Sequence, residues 1–250
     1  MNTSMAFQAE RLTDQSFIPP WIRHEHLARY AFASQYVKGK TVVDCACGDG
    51  TGSEIFWKAG AQSIAAFDLS EPAVATARAR CVSPNVRFQV NDGLKLPLPD
   101  RSVDLYISLE TIEHIEQDRA FLTEALRVLK PEGIFLCSTP NRAITNPGKS
   151  IQDKPWNRFH IREYSKPEFL DLLKPAFNRI ELYGQNPQPG WKVSTMEALG
   201  KILPGHGAVQ LNQIMKLPWL LLDRLKHHTV QTQNSRNVYE YLLAVCREPK

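Results

Sequence analysis

From Lys40 onward, short runs rich in β-branched and aromatic residues alternate with segments whose apolar positions recur every three or four residues. The runs KTVVDC (40–45), SIAAFDL (63–69), VRFQV (86–90), VDLYIS (103–108) and GIFLCST (133–139) predict strands. Between them, TGSEIFWKAGA, EPAVATARARC and QDRAFLTEALRVLK predict helices. The last of these puts Phe121, Leu122, Ala125, Leu126 and Leu129 at helical spacing, with Lys130 ahead of Pro131 as a stop. RIELYG (179–184) and VYEYLLAVC (238–246) predict two further strands. Alternation of this kind defines a mainly parallel α/β sheet with helices on both faces.

Two stretches stand outside the alternation. Residues 1–38 precede the first strand and contain PPWIRHEHLARYAFASQYV, a helix begun after Pro19 and Pro20, which predicts an N-terminal helical cap. Residues 39–250 make up the main domain, and 186–237 separate its last two strands. That is far longer than an ordinary connection and predicts a lid-like insertion. Within it, LNQIMKLPWLLLDRLKHH (211–228) is amphipathic and basic. Such a stretch covers an apolar substrate, makes a peripheral contact with a membrane, or packs on the domain as an ordinary helix.

Composition narrows the class. At 250 residues, 43% hydrophobic and 22% charged, the chain can bury a sizeable core, which excludes a disordered or fibrous protein. A net charge of +4 is too small an excess for a dedicated duplex binder, so DNA is not an expected partner and RNA is a weak one. The five cysteines are odd in number, and Cys45, Cys81, Cys137 and Cys246 sit in or beside apolar runs, as reduced packed thiols do. MNTSMAFQAERL lacks an apolar leader segment, and no run reaches the ~18 apolar residues of a membrane span, so a cytoplasmic protein is expected.

The segment VVDCACGDGTGS (42–53) carries the first chemistry. A strand ending at Asp44 turns through Gly48 and Gly50 into a helix beginning near Thr51, and such a turn lets backbone approach a ligand at a helix N-terminus. Asp68 ends the second strand, 24 residues after Asp44, where an acid commonly binds both hydroxyls of a ribose. Asp92 follows the third strand and suits an exocyclic amine. Three successive strand tips with Asp44, Asp68 and Asp92 make a trough for a nucleoside. Asp49 stands inside the loop and no glycine lies three residues after Gly50, so a ligand with a cationic end fits better than a pyrophosphate. That pattern argues against a nicotinamide-dependent oxidoreductase.

VVDCACGDGTGS, FDLS, NDGLKLPLPDRSVDLYISLETIEHI and FLTEALRVLKPEGIFLCSTPN resemble the successive motifs of class I S-adenosylmethionine-dependent methyltransferases, over about residues 40–185. IRHEHLARYAF and FHIREYSKPEFLDLL resemble a bacterial methyltransferase-11/23-like branch. The resemblance implies a Rossmann-like sheet of seven strands in the order 3-2-1-4-5-7-6, the final strand antiparallel. It implies S-adenosylmethionine as cofactor, contacted by Asp44, Ala46, Gly48, Gly50, Asp68, Leu69, Asp92, Gly93 and Leu109. CACG replaces the more common GCG, and Cys45 reads as packing.

The acceptor side follows the fourth strand, at the carboxyl edge where open α/β sheets bind ligands. Glu110, Glu113 and His114 in LETIEHIEQD are spaced i, i+3, i+4 and share one face if the turn is helical. Two carboxylates and an imidazole suit a divalent cation such as Mg²⁺ or Mn²⁺. The same Glu-x-x-Glu-His pattern is similar to that of ubiquinone-pathway O-methyltransferases and of small-RNA 2′-O-methyltransferases. The latter resemblance implies a further histidine after STPN, a place taken here by His160. The expected metal set is Glu110, Glu113, His114 and His160, with His114 and His160 catalytic. Without a metal, either histidine serves as base, or the group is structural.

Other polar groups have plainer expectations. His24, Glu25 and His26 on the N-terminal helix read as surface, and His206, His227 and His228 as solvated. Trp156, Phe159 and Tyr164 read as core or pocket wall, and Arg142, Lys149, Lys154, Arg158 and Arg162 as a basic loop that could hold an anion. The reading that emerges is O-methylation of a small-molecule, sugar or lipid-linked glycan hydroxyl. RNA 2′-O-methylation, a metal-independent N- or O-methyltransferase with a histidine base, and a non-catalytic cofactor-fold module stand as alternatives.

Overall fold

A computed structural model describes residues 20–203, 205–211 and 229–250. One sheet organises all of them. Its strands are β1 (Thr41–Cys45), β2 (Ser63–Asp68), β3 (Val86–Val90), β4 (Val103–Leu109), β5 (Leu129–Pro140), β6 (Phe177–Pro189), β7 (Gln231–Thr232) and β8 (Asn237–Pro249), in the order β3-β2-β1-β4-β5-β8-β6-β7. The first five are parallel, and β8 runs antiparallel between β5 and β6. The sheet therefore has eight strands instead of the expected seven. The extra one is the two-residue β7, pairing with Tyr183 and Gly184 at the edge; apart from it, the order is the expected one.

Period-two alternation along the central strands divides the core into two layers. Val43, Cys45, Tyr106, Phe135 and Cys137 face one layer, which is closed by α4 (Asp118–Val128) and α6 (Lys166–Leu173) through Phe121, Leu122, Phe169 and Leu173. Val42, Ile64, Leu105, Ile107 and Leu136 face the other, closed by α1 (Pro20–Ser34), α2 (Thr51–Lys58) and α3 (Glu71–Arg80) through Phe32, Phe56, Val74 and Ala77. Because both faces are covered, the strands read as apolar runs, as parallel strands do. All five cysteines are free and buried in these layers.

Local chemistry sets the element ends. Ser70 accepts from the amide of Ala73 and caps α3. Ser165 and Glu168 form a capping box at α6. α4 stops at Val128, and β5 begins at Leu129, four residues before the expected start at Gly133. Pairing with β4 skips from Leu129 to Ile134 across this stretch, which suits Pro131 because it has no N–H for the ladder.

Beyond the sheet's carboxyl edge, β6 and β8 continue as a two-stranded arm. Pro187 pairs with Tyr239 and Pro189 with Asn237. Residues 186–189 are thus strand, and chain outside the last two long strands runs from Gly190 to Arg236. It begins with α7 (Gly190–Ile202), which buries Val193, Met196 and Gly200 and leaves Trp191 and Ile202 exposed. Most of the basic apolar stretch 211–228, and with it His227 and His228, lies outside the described residues. Among the described residues, no helix is long and apolar enough to cross a membrane.

α7 is seated by contact without side chains. A Cβ on Gly200 would lie 1.9 Å from the carbonyl oxygen of Pro147. Gly148, at φ +78°, meets the same turn of helix from the other side. Replacing Gly200 by alanine is expected to lower stability by about 1–3 kcal/mol through overpacking, read as a fall in denaturant midpoint. Ala198→Ser on the exposed face of the helix serves as the control, with a change within about 0.5 kcal/mol.

Candidate functional site

The tips of β3, β2 and β1 lie side by side and build a cradle from backbone and carboxylates. After β1 the chain turns through three left-handed residues, Ala46 (φ 64°), Gly48 (φ 56°) and Gly50 (φ 80°). At Gly50 only glycine fits, since a Cβ would stand 2.8 Å from that of Ala77. The Gly48 amide donates to Asp68 Oδ2 at 2.9 Å, and the Ser70 amide to Oδ1 at 2.8 Å. Asp68 is thereby fixed at the tip of β2. Leu69, next in the chain, is 68% exposed, an apolar surface at the mouth of the cradle. Asp92 is exposed beyond β3 and accepts from the Leu94 amide at 3.0 Å.

Asp44 sits on the floor. It is buried at the end of β1 and accepts from the Ser53 hydroxyl at 2.5 Å. Burial pushes its carboxyl up to about 7, Ser53 opposes the shift, and the charge of Asp68 adds to it. Tyr30 of α1 packs over this floor so closely that a Cβ on Gly52 would come within 2.9 Å of its ring.

Asp49 is not where the sequence suggested. Its Oδ1 accepts from the Thr51 amide and hydroxyl, and its Oδ2 pairs with Arg80 Nη2 at 3.0 Å. It is 4% exposed and turned into the start of α2, where a carboxylate satisfies helix N–H groups. Gly93 is likewise a packing residue: a Cβ there would lie 2.8 Å from Cys45 Sγ and 3.0 Å from the Phe121 ring. Leu109 closes β4, half-buried between the cradle and the next cluster.

That cluster follows β4. The expected helical turn does not form: Glu110 is left-handed at φ 52°, and Ile112–His114 is a single 3₁₀ turn. Glu110 therefore parts from the other two, its carboxylate accepting from the Ser138 hydroxyl at 2.5 Å and lying 3.8 Å from Arg29 Nε. Glu113, His114 and His160 do converge, with one potential ligand atom from each within 4.8 Å of the others. The two imidazole rings meet edge to face at 4.8 Å between centroids.

Each member of the trio is oriented from behind. Glu113 is 1% exposed, and its Oε2 accepts from the Thr139 hydroxyl at 3.0 Å. Burial, reinforced by Glu110, pushes its carboxyl up to about 8. His114 Nδ1 lies 3.0 Å from the Phe159 carbonyl oxygen, which can only accept, so this nitrogen carries the proton and Nε2 the lone pair. His160 Nδ1 lies 2.6 Å from Glu163 Oε1, and its Nε2 lies 2.9 Å from the Asn157 amide nitrogen. One carboxylate and two imidazoles suit a divalent metal in type, Mn²⁺ better than Mg²⁺ for a mixed O/N set, with the Asn157 amide on His160 Nε2 the contact a metal would have to replace. The three could also act as a proton-transfer group.

The N-terminal helix contributes more than its sequence promised. Glu25 is buried, accepting from Asn186 Nδ2 at 2.7 Å and the Tyr241 hydroxyl at 3.0 Å, and burial together with Glu240 raises it to about 7. His26 is pushed well below its ordinary value by burial, aided by Arg29. Arg29, 1% exposed, donates to Gln185 Oε1 at 2.6 Å and stacks on the Tyr241 ring at 4.3 Å. Only His24 of that trio is exposed. Arg29, Tyr30, Gln185 and Tyr241 escaped the sequence reading; the closely spaced RHEHLARY run was the one hint available.

Two of the five cations of the basic loop are ion-paired within the domain. Arg142 is held by Glu168 and Arg162 by Asp118, while Arg158 lies over the Phe159 ring. Tyr164 is core, with its hydroxyl on Asp118 at 2.7 Å. Trp156 stacks edge-on against His206 at 5.1 Å, so His206 is packed instead of solvated.

Comparison with known proteins places this geometry. Residues 43–137 match the family description of a methyltransferase domain. A Mycolicibacterium smegmatis protein described as a probable S-adenosylmethionine-dependent methyltransferase is 37% identical over 64% of this chain and 60% of its own length. The chain spans 54% of matching Mycobacterium tuberculosis proteins of the same description. A Synechocystis 2-methyl-6-phytyl-1,4-hydroquinone methyltransferase is 29% identical over 84% of this chain and 72% of its own. A fatty-acid O-methyltransferase of M. smegmatis is 27% identical over 64% and 65%. The crystal structure of an S-adenosylmethionine-dependent methyltransferase from Mesorhizobium loti superimposes at a TM-score of 0.56 with 20% identity, over 89% of this chain and 99% of that one. The chain therefore has the class I methyltransferase fold and, over residues 43–137, resembles a methyltransferase domain.

The cradle suits S-adenosylmethionine: the glycine turn admits close approach, Asp68 stands at the tip of β2, and among the described residues no cation pairs with the buried Asp44. Asp44 ionises as pH rises through about 7 in the free protein. Below that pH the neutral acid gives no charge attraction to a cationic ligand, so affinity for S-adenosylhomocysteine, which keeps its ammonium, is expected to fall as pH drops from 8 to 6. Calorimetric titration of wild type and Asp44→Asn checks it, the variant binding more weakly and losing that pH dependence.

Proposed function

We propose that the protein is an O-methyltransferase acting on a hydroxyl of a small molecule, sugar or lipid-linked glycan, with a divalent metal as helper. The observation that carries this reading is the convergence of Glu113, His114 and His160 beside the cradle. Methyl transfer to oxygen needs an aligned acceptor and somewhere for its proton to go. When bound, S-adenosylmethionine supplies an electrophilic methyl group, and the protein's own task is to position the acceptor and take up that proton. His114, held by the Phe159 carbonyl, presents an Nε2 lone pair 4.0 Å from Glu113 Oε1. A divalent metal would be held by Glu113, His114 and His160 and would supply Lewis acidity toward the acceptor hydroxyl.

An amphiphilic acceptor is supported by two things. Relatives are named for a phytyl hydroquinone and for fatty acids, and α7 exposes Trp191 and Ile202. On this reading α7 covers the acceptor or rests against a lipid surface, and the protein works from the cytoplasm. The modest net charge of +4 speaks against RNA, as does the pairing of Arg142 with Glu168 and of Arg162 with Asp118.

Activity is expected to disappear with chelator and return with Mn²⁺. His114→Ala is expected to lower kcat by about 10²–10⁴-fold, the range of general acid–base contributions, with the Kd for S-adenosylhomocysteine unchanged. Turnover indifferent to chelation removes the metal and leaves a histidine base. Full kcat in His114→Ala removes the site.

A further inference from the structure

The buried carboxylate of Glu163 stands behind one member of the converging trio, His160, and is hydrogen-bonded through both of its oxygens. It is 2% exposed. Its Oε2 accepts from the Thr145 hydroxyl and, at 2.5 Å, from Asn146 Nδ2. Its Oε1 lies 2.6 Å from His160 Nδ1. Thr145 ends α5 (Arg142–Thr145), and Asn146 follows it while accepting from the Trp156 amide at 2.7 Å. The carboxylate is therefore anchored from one side by the segment after β5 and presents its remaining oxygen to the imidazole from a fixed point.

We propose that Glu163 is a positioning residue that holds His160 as its Nδ1–H tautomer, so that Nε2 carries the lone pair, which the Asn157 amide meets in this structure and which a proton or a metal would take in its place. This deepens the reading above and rests on it for the role of His160. The chemistry is asymmetric. An ionised carboxylate can only accept, so a neutral imidazole beside it must place its proton on Nδ1. On the far side of the ring, the Asn157 amide nitrogen lies 2.9 Å from Nε2 and can donate to that lone pair. In the same way the Phe159 carbonyl fixes His114. The two rings thus present the same nitrogen, one governed by backbone and the other by a side chain that can be changed.

Glu163→Gln separates positioning from scaffolding. The amide keeps an oxygen for Thr145 and Asn146 but can turn an N–H toward His160, which then accepts at Nδ1 and carries its proton on Nε2. Thr145→Val disturbs the same anchor and leaves the oxygen facing the imidazole. The experiment records the imidazole ¹⁵N–¹H correlations of full-length protein without added metal, assigning His160 by its loss in His160→Gln. Kinetics with S-adenosylmethionine and a hydroxylated acceptor are measured alongside.

Wild type and Thr145→Val are expected to show the Nδ1–H pattern, and Glu163→Gln the Nε2–H pattern. kcat is expected to fall about 10–100-fold in Glu163→Gln, as for outer partners of ligating histidines, with the S-adenosylhomocysteine Kd unchanged and little loss in Thr145→Val. An Nε2–H tautomer or an imidazolium at His160 in wild type overturns the proposal, and so does full kcat in a Glu163→Gln protein whose tautomer has switched. Absence of any oxygen methylation by wild type sinks the functional reading instead, and the tautomer spectra then still decide what Glu163 does to His160.

Discussion

Burying negative charge along one edge of the sheet is the constraint on which the rest of this molecule depends. Asp44, Asp49, Asp68, Glu113 and Glu163 are all no more than 5% exposed, and a carboxylate out of water is costly unless donors replace the lost hydration. The fold answers unevenly. Asp49 has a helix start and Arg80, Asp68 has two amides, and Glu163 has three side-chain partners. Asp44 has Ser53 and Glu113 has Thr139, each a neutral hydroxyl, and these two carboxyls are pushed up to about 7 and about 8. Positive charge arriving from outside gains most at the two places where the protein supplies least. One lies in the cradle, the other in the trio beside it.

How much of this was legible in the sequence follows from the range of the forces involved. The central strands, buried on both faces, are apolar runs and the edge strand β3 alternates, so β1 to β4 were readable to within a residue of their ends. The start of β5 was not: Lys130–Pro131 looks like a helix stop, and it is one, but the strand begins at once and bulges over the proline. The second-to-last strand was cut short at Gly184 because GQNPQP reads as a turn locally. Pairing with β8 overrides that preference and carries β6 to Pro189.

The site divides along the same line. The cradle lies within consecutive strand tips, and its glycines and Asp68 announced themselves by local spacing. Asp49 misled because one residue cannot reveal that its charge is spent on Thr51 and on Arg80, 31 positions away. Glu110 misled because helical spacing was assumed where a left-handed residue breaks it. The partners that orient the trio are more distant still. Phe159 is 45 residues from His114, and Thr139 is 26 from Glu113. His160 was placed by resemblance to a family, not by any pattern within the chain.

The N-terminal helix shows why the two halves of the site belong together. Consecutive residues of α1 face opposite tasks: Tyr30 covers the floor of the cradle at Gly52, while Arg29 lies against Glu110, Gln185 and Tyr241 on the acceptor side. Glu25, one turn earlier, ties the helix to the arm of β6 and β8 through Asn186 and Tyr241. A shift of α1 that loosens the tyrosine must also move the guanidinium, because one helical segment carries both. One helical segment therefore touches both the cradle, through Tyr30 at Gly52, and the cluster after β4, through Arg29 at Glu110, and it is held by buried polar groups whose repacking would leave donors and acceptors unpaired.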